Sequence, residues 1–162
     1  MIAKGGHALL DDDAVDAIMS RLLPGAALVT PNLPEAEALT GLPVRTVEDM
    51  MDAGEDILAL GAKAVLMKGG HLEGNRVTDL LVTGADCVGW EHSRIDTPHT
   101  HGTGCTLASA CAVGLAQGLD LVDAVARAHA YVTEAIRTAP GFGKGHGPLN
   151  HGFTVTPFDT KN

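Results

Sequence analysis

Apolar residues in this chain fall into two rhythms, a helical spacing and short solid runs, and the rhythms alternate. Val15, Ile18, Met19 and Leu22 recur at helical intervals behind Asp11, Asp12 and Asp13, whose charges suit the positive start of a helix. This predicts a helix over 12–23 with one buried face, ended by Pro24-Gly25. The apolar run 26–30 fits a fully buried strand, broken by Pro31-Asn32-Leu33-Pro34 before a short helix over 35–39 that Gly41 closes. Thr46 with Asp49 forms an approximate capping box for a helix carrying Val47, Met50, Met51, Gly54, Ile57 and Leu58 on one side and ending at Gly61. A strand over 64–67 follows, then a turn at Lys68-Gly69-Gly70-His71. The segments 77–82 and 87–90 read as strands joined by a hairpin around Gly84, as edge or antiparallel additions. A helix over 104–117 breaks at Gly118, and Asp120 opens another with Leu121, Val122, Val125, Val132 and Ile136 inward. From Pro140 onward the chain is rich in Gly, Pro and His and predicts irregular structure.

Strands and helices alternating at these lengths predict parallel strands joined by helical crossovers, a layered α/β domain with helices on both faces of a mostly parallel sheet. One domain over 1–150 with a tail over 151–162 is expected. Ligands in such sheets bind beyond the carboxyl ends of the strands. Three unusual segments, Asn32 to Glu35, Lys68 to His71 and Thr100 to Cys105, each follow a predicted strand or precede a helix. They are therefore expected along one edge, as a single site.

Composition narrows the partners. The 162 residues carry 11 Lys plus Arg against 20 Asp plus Glu, a formal charge of -9, so the field of the whole molecule repels nucleic acid and anionic membrane. Any phosphate must then be held by local geometry or a bridging metal. Cys87, Cys105 and Cys111 make no disulfide framework, which points to a reducing cytoplasm. No apolar run approaches bilayer length, and the start of the chain lacks a signal-peptide pattern.

The segment Thr100-His101-Gly102-Thr103-Gly104-Cys105-Thr106 reads as an anion cradle. The first amides of a helix lack internal acceptors, the macrodipole adds positive charge, and glycine lets the backbone come close. Cys105 at such a mouth is biased toward thiolate, a candidate base or nucleophile; the same letters also fit a plain glycine turn with a small buried cysteine. Asn32 and Glu35 suit hydrated Mg²⁺ held near phosphates, or equally a turn residue and a partner of the helix dipole. Lys68 could reach a phosphoryl group as a point charge, or simply be solvated. His99, His101, His146 and His151 lack the four-ligand spacing of structural zinc. There is no G-x-x-x-x-G-K-[ST] loop and no G-x-S-x-G elbow, and Gly141-Phe142-Gly143-Lys144-Gly145 does not lie between a strand and a helix as a dinucleotide fingerprint does.

Met1-Ile2-Ala3-Lys4-Gly5-Gly6, Thr30-Pro31-Asn32-Leu33-Pro34-Glu35-Ala36, Leu66-Met67-Lys68-Gly69-Gly70-His71, His101-Gly102-Thr103-Gly104-Cys105-Thr106 and Gly143-Lys144-Gly145-His146-Gly147-Pro148 with Asn150-His151 occur in that order. Together they resemble the hydroxymethylpyrimidine and phosphomethylpyrimidine kinases of thiamine biosynthesis, members of the ribokinase-like superfamily with its three-layer α/β sandwich. The resemblance implies ATP-dependent phosphorylation of the pyrimidine hydroxymethyl group and then of the monophosphate, with ATP and Mg²⁺ as cofactors. It implies nucleotide contacts at Asn32, Glu35, Lys68, Gly70, His101, Thr103 and Gly104, with Asn32 and Glu35 organising the metal. Lys68 would contact the transferred phosphate, Gly102, Thr103 and Gly104 would form the anion hole, and Cys105 would be the base. A pyridoxal-type vitamin kinase shares that phosphate machinery, and a non-catalytic nucleotide-binding or assembly module is a further alternative. Members of the family are longer, so the resemblance also implies that the first part of the sheet and most of the pyrimidine pocket are missing. A homodimer or a complementing N-terminal portion would then cover the strand edge.

Overall fold

The computed structural model describes residues 11–72 and 74–155, which divide into two compact units, one running to Arg94 and the other from Ile95. The Met1 to Gly6 motif and the end of the tail lie outside the described residues.

The first unit opens with helix α1 (Asp12–Ala17), which widens into a π-helical turn over Ile18–Leu22 and tightens into a 3₁₀ turn over Leu23–Gly25. The expected single helix over 12–23 is thus three unlike pieces. A π turn takes an extra residue, which advances the side chains around the axis. Leu22, expected inside, is 64% exposed, and Leu23 is buried instead.

Helix α2 (Leu33–Thr40) carries a complete capping box between Asn32 and Glu35, has Pro34 in its first turn, and stops at Gly41 with φ +74°. Helix α3 (Val47–Ala59) carries a second complete box between Thr46 and Asp49. Met50, Ala53, Gly54 and Ile57 form its buried stripe, and α3 packs on two strands, β1 (Ala64–Lys68) and β2 (Arg76–Thr83). A β-carbon at Gly54 would lie 2.7 Å from Val82 Cγ2, so the close approach of helix to sheet requires glycine. Val47 and Met51, expected on this face, are each 39% exposed. Val47 belongs to the open first turn, and Met51 lies a hundred degrees around the helix from Met50.

This packing predicts a sharp contrast between adjacent methionines. Met50 is fully buried, so Met50→Ala should cost about 2–5 kcal/mol, read as a fall in the urea midpoint. Met51→Ala should stay within about 0.5 kcal/mol of the parent.

The mostly parallel sheet needs correction. Among the described residues β1, β2 and β3 (Cys87–Ser93) form a three-stranded sheet in the order β1-β2-β3, antiparallel throughout. The cause is local, because turns join these strands where a parallel pair would need a long crossover. The segment 26–32 does lie alongside β1 in the parallel sense, but it pairs only through isolated bridges, Val29 with Val65 and Asn32 with Lys68. Pro31 between them has no amide to donate.

The second unit is built on helices α4 (Thr103–Ala116) and α5 (Leu121–Arg137) packed against each other. Asp120 caps α5 by accepting from Asp123 N at 2.8 Å. Their contact is made of small residues, for a β-carbon at Gly114 would meet Ala124 Cβ at 2.8 Å. The buried face of α5 is Ala124, Val125, Ala128, Val132 and Ala135, whereas Val122, expected inside, is exposed. After α5 the chain is irregular, as its composition predicts, and Leu149 is buried in it.

Candidate functional site

Two clusters of candidate residues form, one in each unit. In the first, the parallel bridge between Asn32 and Lys68 sets the start of α2 beside the end of β1. Asn32 Oδ1 accepts from Glu35 N at 2.8 Å, and Glu35 Oε2 accepts in return from Asn32 N at 2.9 Å. Lys68 lies with Nζ 3.9 Å from Glu35 Oε2 and donates to the carbonyl of Thr30, while its own amide donates to Pro31 O at 3.0 Å. Asn32 and Glu35 are therefore joined by two hydrogen bonds, and Lys68 stands at the same corner as their ion-pair neighbour. Gly70 follows, exposed, in the turn after β1.

Burial works to raise the Glu35 carboxyl, but the Asn32 amide and the Lys68 charge outweigh it and hold the group below its ordinary value of 4.5. A depressed carboxyl stabilises the folded state above its unfolded value and loses that contribution as pH falls through the folded one. The advantage of the parent over Glu35→Gln, followed as the midpoint of thermal unfolding, should therefore be full at neutral pH. It should shrink as pH drops below 4.5 and vanish in stronger acid.

In the second unit Gly102 precedes α4 with φ +87°, a conformation that glycine adopts without strain. No side chain caps α4, so the amides of Gly104 and Cys105 in its first turn keep the open mouth that a helix start presents. Thr103 Oγ1 donates to Thr100 O at 2.8 Å and Thr106 Oγ1 to Gly102 O at 2.8 Å, which ties the turn to the helix. Cys105 is exposed at this mouth. The Cys111 thiol, two turns on, is buried, and burial pushes it above the usual thiol range. His101 is bound through its backbone, its amide donating to Gly147 O at 3.1 Å in the loop after α5. That loop also packs on His99: a β-carbon at Gly147 would fall 2.3 Å from His99 Nδ1.

Among the described residues no group of three or more His, Cys, Asp or Glu is placed to hold a metal ion. The donors at Asn32 and Glu35 are oxygens, one of them anionic. That set fits a hard cation that keeps most of its water. Two residues that sequence reasoning passed over, Asp79 and Arg94, hold the turn after Lys68. A lone acid interrupting the apolar run of β2 was the available signal for Asp79; Arg94 had none.

In fold the chain belongs with the α/β kinases of small molecules. It superimposes on the structure of pyridoxal kinase from Staphylococcus aureus in complex with AMP-PCP with a TM-score of 0.86 at 34% identity, over 94% of this chain and 56% of that one. Within that class it is a member of the phosphomethylpyrimidine kinase family, whose model matches residues 1–150. It is 51% identical to the thiamine biosynthesis bifunctional protein ThiED of Geobacter sulfurreducens, over 93% of this chain and 31% of that protein. It is 44% identical to the hydroxymethylpyrimidine/phosphomethylpyrimidine kinase of Bacillus subtilis, over 93% of this chain and 56% of that one. The chain thus spans about half the length of the single-function relative and less of the bifunctional one.

Proposed function

We propose that this chain carries the phosphate-handling part of an ATP-dependent kinase that phosphorylates hydroxymethylpyrimidine and then its monophosphate. The observation that carries the reading is the Lys68–Glu35–Asn32 corner, a lysine and a carboxylate fixed together at a strand end, in a chain of this family. Phosphoryl transfer asks little covalent chemistry of a protein; positioning and charge stabilisation supply most of the rate. Lys68 leaves the Thr30 carbonyl to neutralise oxygens of the transferred phosphoryl group. The open amides of Gly104 and Cys105, with Thr103, receive negative charge at the mouth of α4. Cys105 accepts the proton of the pyrimidine hydroxyl as its oxygen bonds to the γ-phosphorus and ADP departs. Glu35, set by Asn32, is the residue that would hold Mg²⁺, largely through water. When bound, that ion offsets charge on the phosphate oxygens. Gly70 and His101 contribute further nucleotide contacts.

The chain incubated with ATP, magnesium and hydroxymethylpyrimidine should yield the pyrimidine monophosphate and then the diphosphate, read by mass spectrometry. Absence of product overturns the transfer reading for this chain. The likeness to a pyridoxal kinase favours one second reading, pyridoxal as acceptor, so pyridoxal belongs in a parallel incubation. Whichever acceptor is consumed with the higher kcat/KM identifies the substrate.

A further inference from the structure

The turn that follows Lys68 is held from two sides. Inside, Asp79 is 5% exposed and is the cross-strand partner of Lys68, on the same face of the sheet. Its Oδ1 accepts from Gly69 N at 2.8 Å. Gly69 comes so near β2 that a β-carbon would lie 2.0 Å from Thr78 O, so the chain has no slack at this point. Outside, Arg94 follows the last residue of β3. Its guanidinium donates to three carbonyls of the same turn, Nη1 to Gly70 at 3.0 Å, Nη2 to Leu72 at 2.8 Å and Nε to Gly74 at 3.0 Å. The Arg94 amide donates to Asn75 O at 2.8 Å, and Leu72 N closes back on Gly69 O at 2.9 Å. A planar fork with fixed donor directions can hold several carbonyls at once, which an ammonium cannot, and a charged donor makes the stronger bonds.

We propose that Arg94 is a positioning residue. With Asp79 as its buried counterpart, it clamps the turn after β1 and thereby fixes Lys68 before any nucleotide arrives. Arg94 itself touches no reacting atom. Its link to phosphate binding rests on the kinase reading above, whereas its hold on the turn does not.

The test compares the parent with Arg94→Ala, Arg94→Lys and Lys68→Met. Three measurements are made: amide exchange at Gly69 and Leu72, acetylation rate of the Lys68 amine by mass spectrometry, and affinity for AMP-PCP. Loss of three charge-assisted bonds should speed exchange at both amides on the order of tenfold or more and raise Lys68 labelling severalfold in Arg94→Ala. AMP-PCP affinity should fall roughly fivefold to tenfold, the equivalent of about one ordinary hydrogen bond. Arg94→Lys should recover only part of each effect. Added methylguanidinium should restore order and affinity to Arg94→Ala, a rescue that general destabilisation would not allow. Unchanged exchange and labelling in Arg94→Ala overturns the clamp. Faster exchange with Lys68 labelling unchanged, or with AMP-PCP affinity kept in Arg94→Ala but lost in Lys68→Met, shows that the turn does not set the lysine and overturns the proposal as well. If the parent itself fails to bind AMP-PCP, the kinase reading is what fails, and exchange and labelling still decide the clamp.

Discussion

Cys105→Ala is expected to slow transfer of phosphate to hydroxymethylpyrimidine on the order of 10² to 10⁴, mostly in kcat, with the KM for ATP little changed. The side chain is exposed at the first turn of α4, so removing it leaves no cavity, and the fold should be unaffected. What is removed is the group to which the mechanism assigns the hydroxyl proton, at the start of a helix. Cys105→Ser keeps an oxygen at the site but is a far weaker base at neutral pH, so it should restore little. A Cys105→Ala enzyme as fast as the parent removes the thiol from the mechanism and leaves the α4 mouth with its amides alone.

Lys68→Met should be of comparable size, about 10² to 10³ in kcat/KM, the typical loss when one preorganised donor to a developing anion is deleted. The side chains are similar in length and the position is only partly exposed, so packing is preserved while the charge is lost. The Thr30 carbonyl and the Glu35 carboxylate then lose a shared partner, which raises the Glu35 carboxyl toward its ordinary value. The pH dependence of unfolding should move with it. Combining the two variants is the stronger test. Groups that act on one transition state are not additive, so the double variant should fall well short of the product of the separate losses. Full multiplicativity would mean that Lys68 and Cys105 serve different steps.

Much of the local structure was legible in the chain because its causes are local. The capping box at Thr46 and Asp49, the stop at Gly41, the cap at Asp120 and the hairpin after β2 depend on residues only a few positions apart, and each stands where pattern placed it. Asn32 and Glu35 were legible as a pair, although their reciprocal capping is the role the structure displays. What was hidden depends on distance along the chain or on phase. Strand ends placed Asn32 and Lys68 along one edge, but the parallel bridge between them spans more than thirty positions, and no periodicity announces that pairing. Arg94 reaches back across two strands to a turn whose sequence looks complete without it. The π turn at Ile18–Leu22 exchanged Leu22 for Leu23, since spacing rules assume a constant number of residues per turn. On α5 Val125 and Val132 face inward as expected, but Val122 is exposed and Ala124, Ala128 and Ala135 complete the face, because small residues decide how closely two helices can lie.

The attachment of Lys68 to the Thr30 carbonyl and to Glu35 also bears on which anions can win it. A ligand must offer more than those two oxygens already do. Chloride or acetate, with one weak point of contact, would be poor competitors. A polyphosphate, presenting several oxygens and a counter-cation for the displaced carboxylate, could compete well. Internal competition of this kind would make the corner discriminating in a solution crowded with simple anions, without any residue devoted to rejecting them.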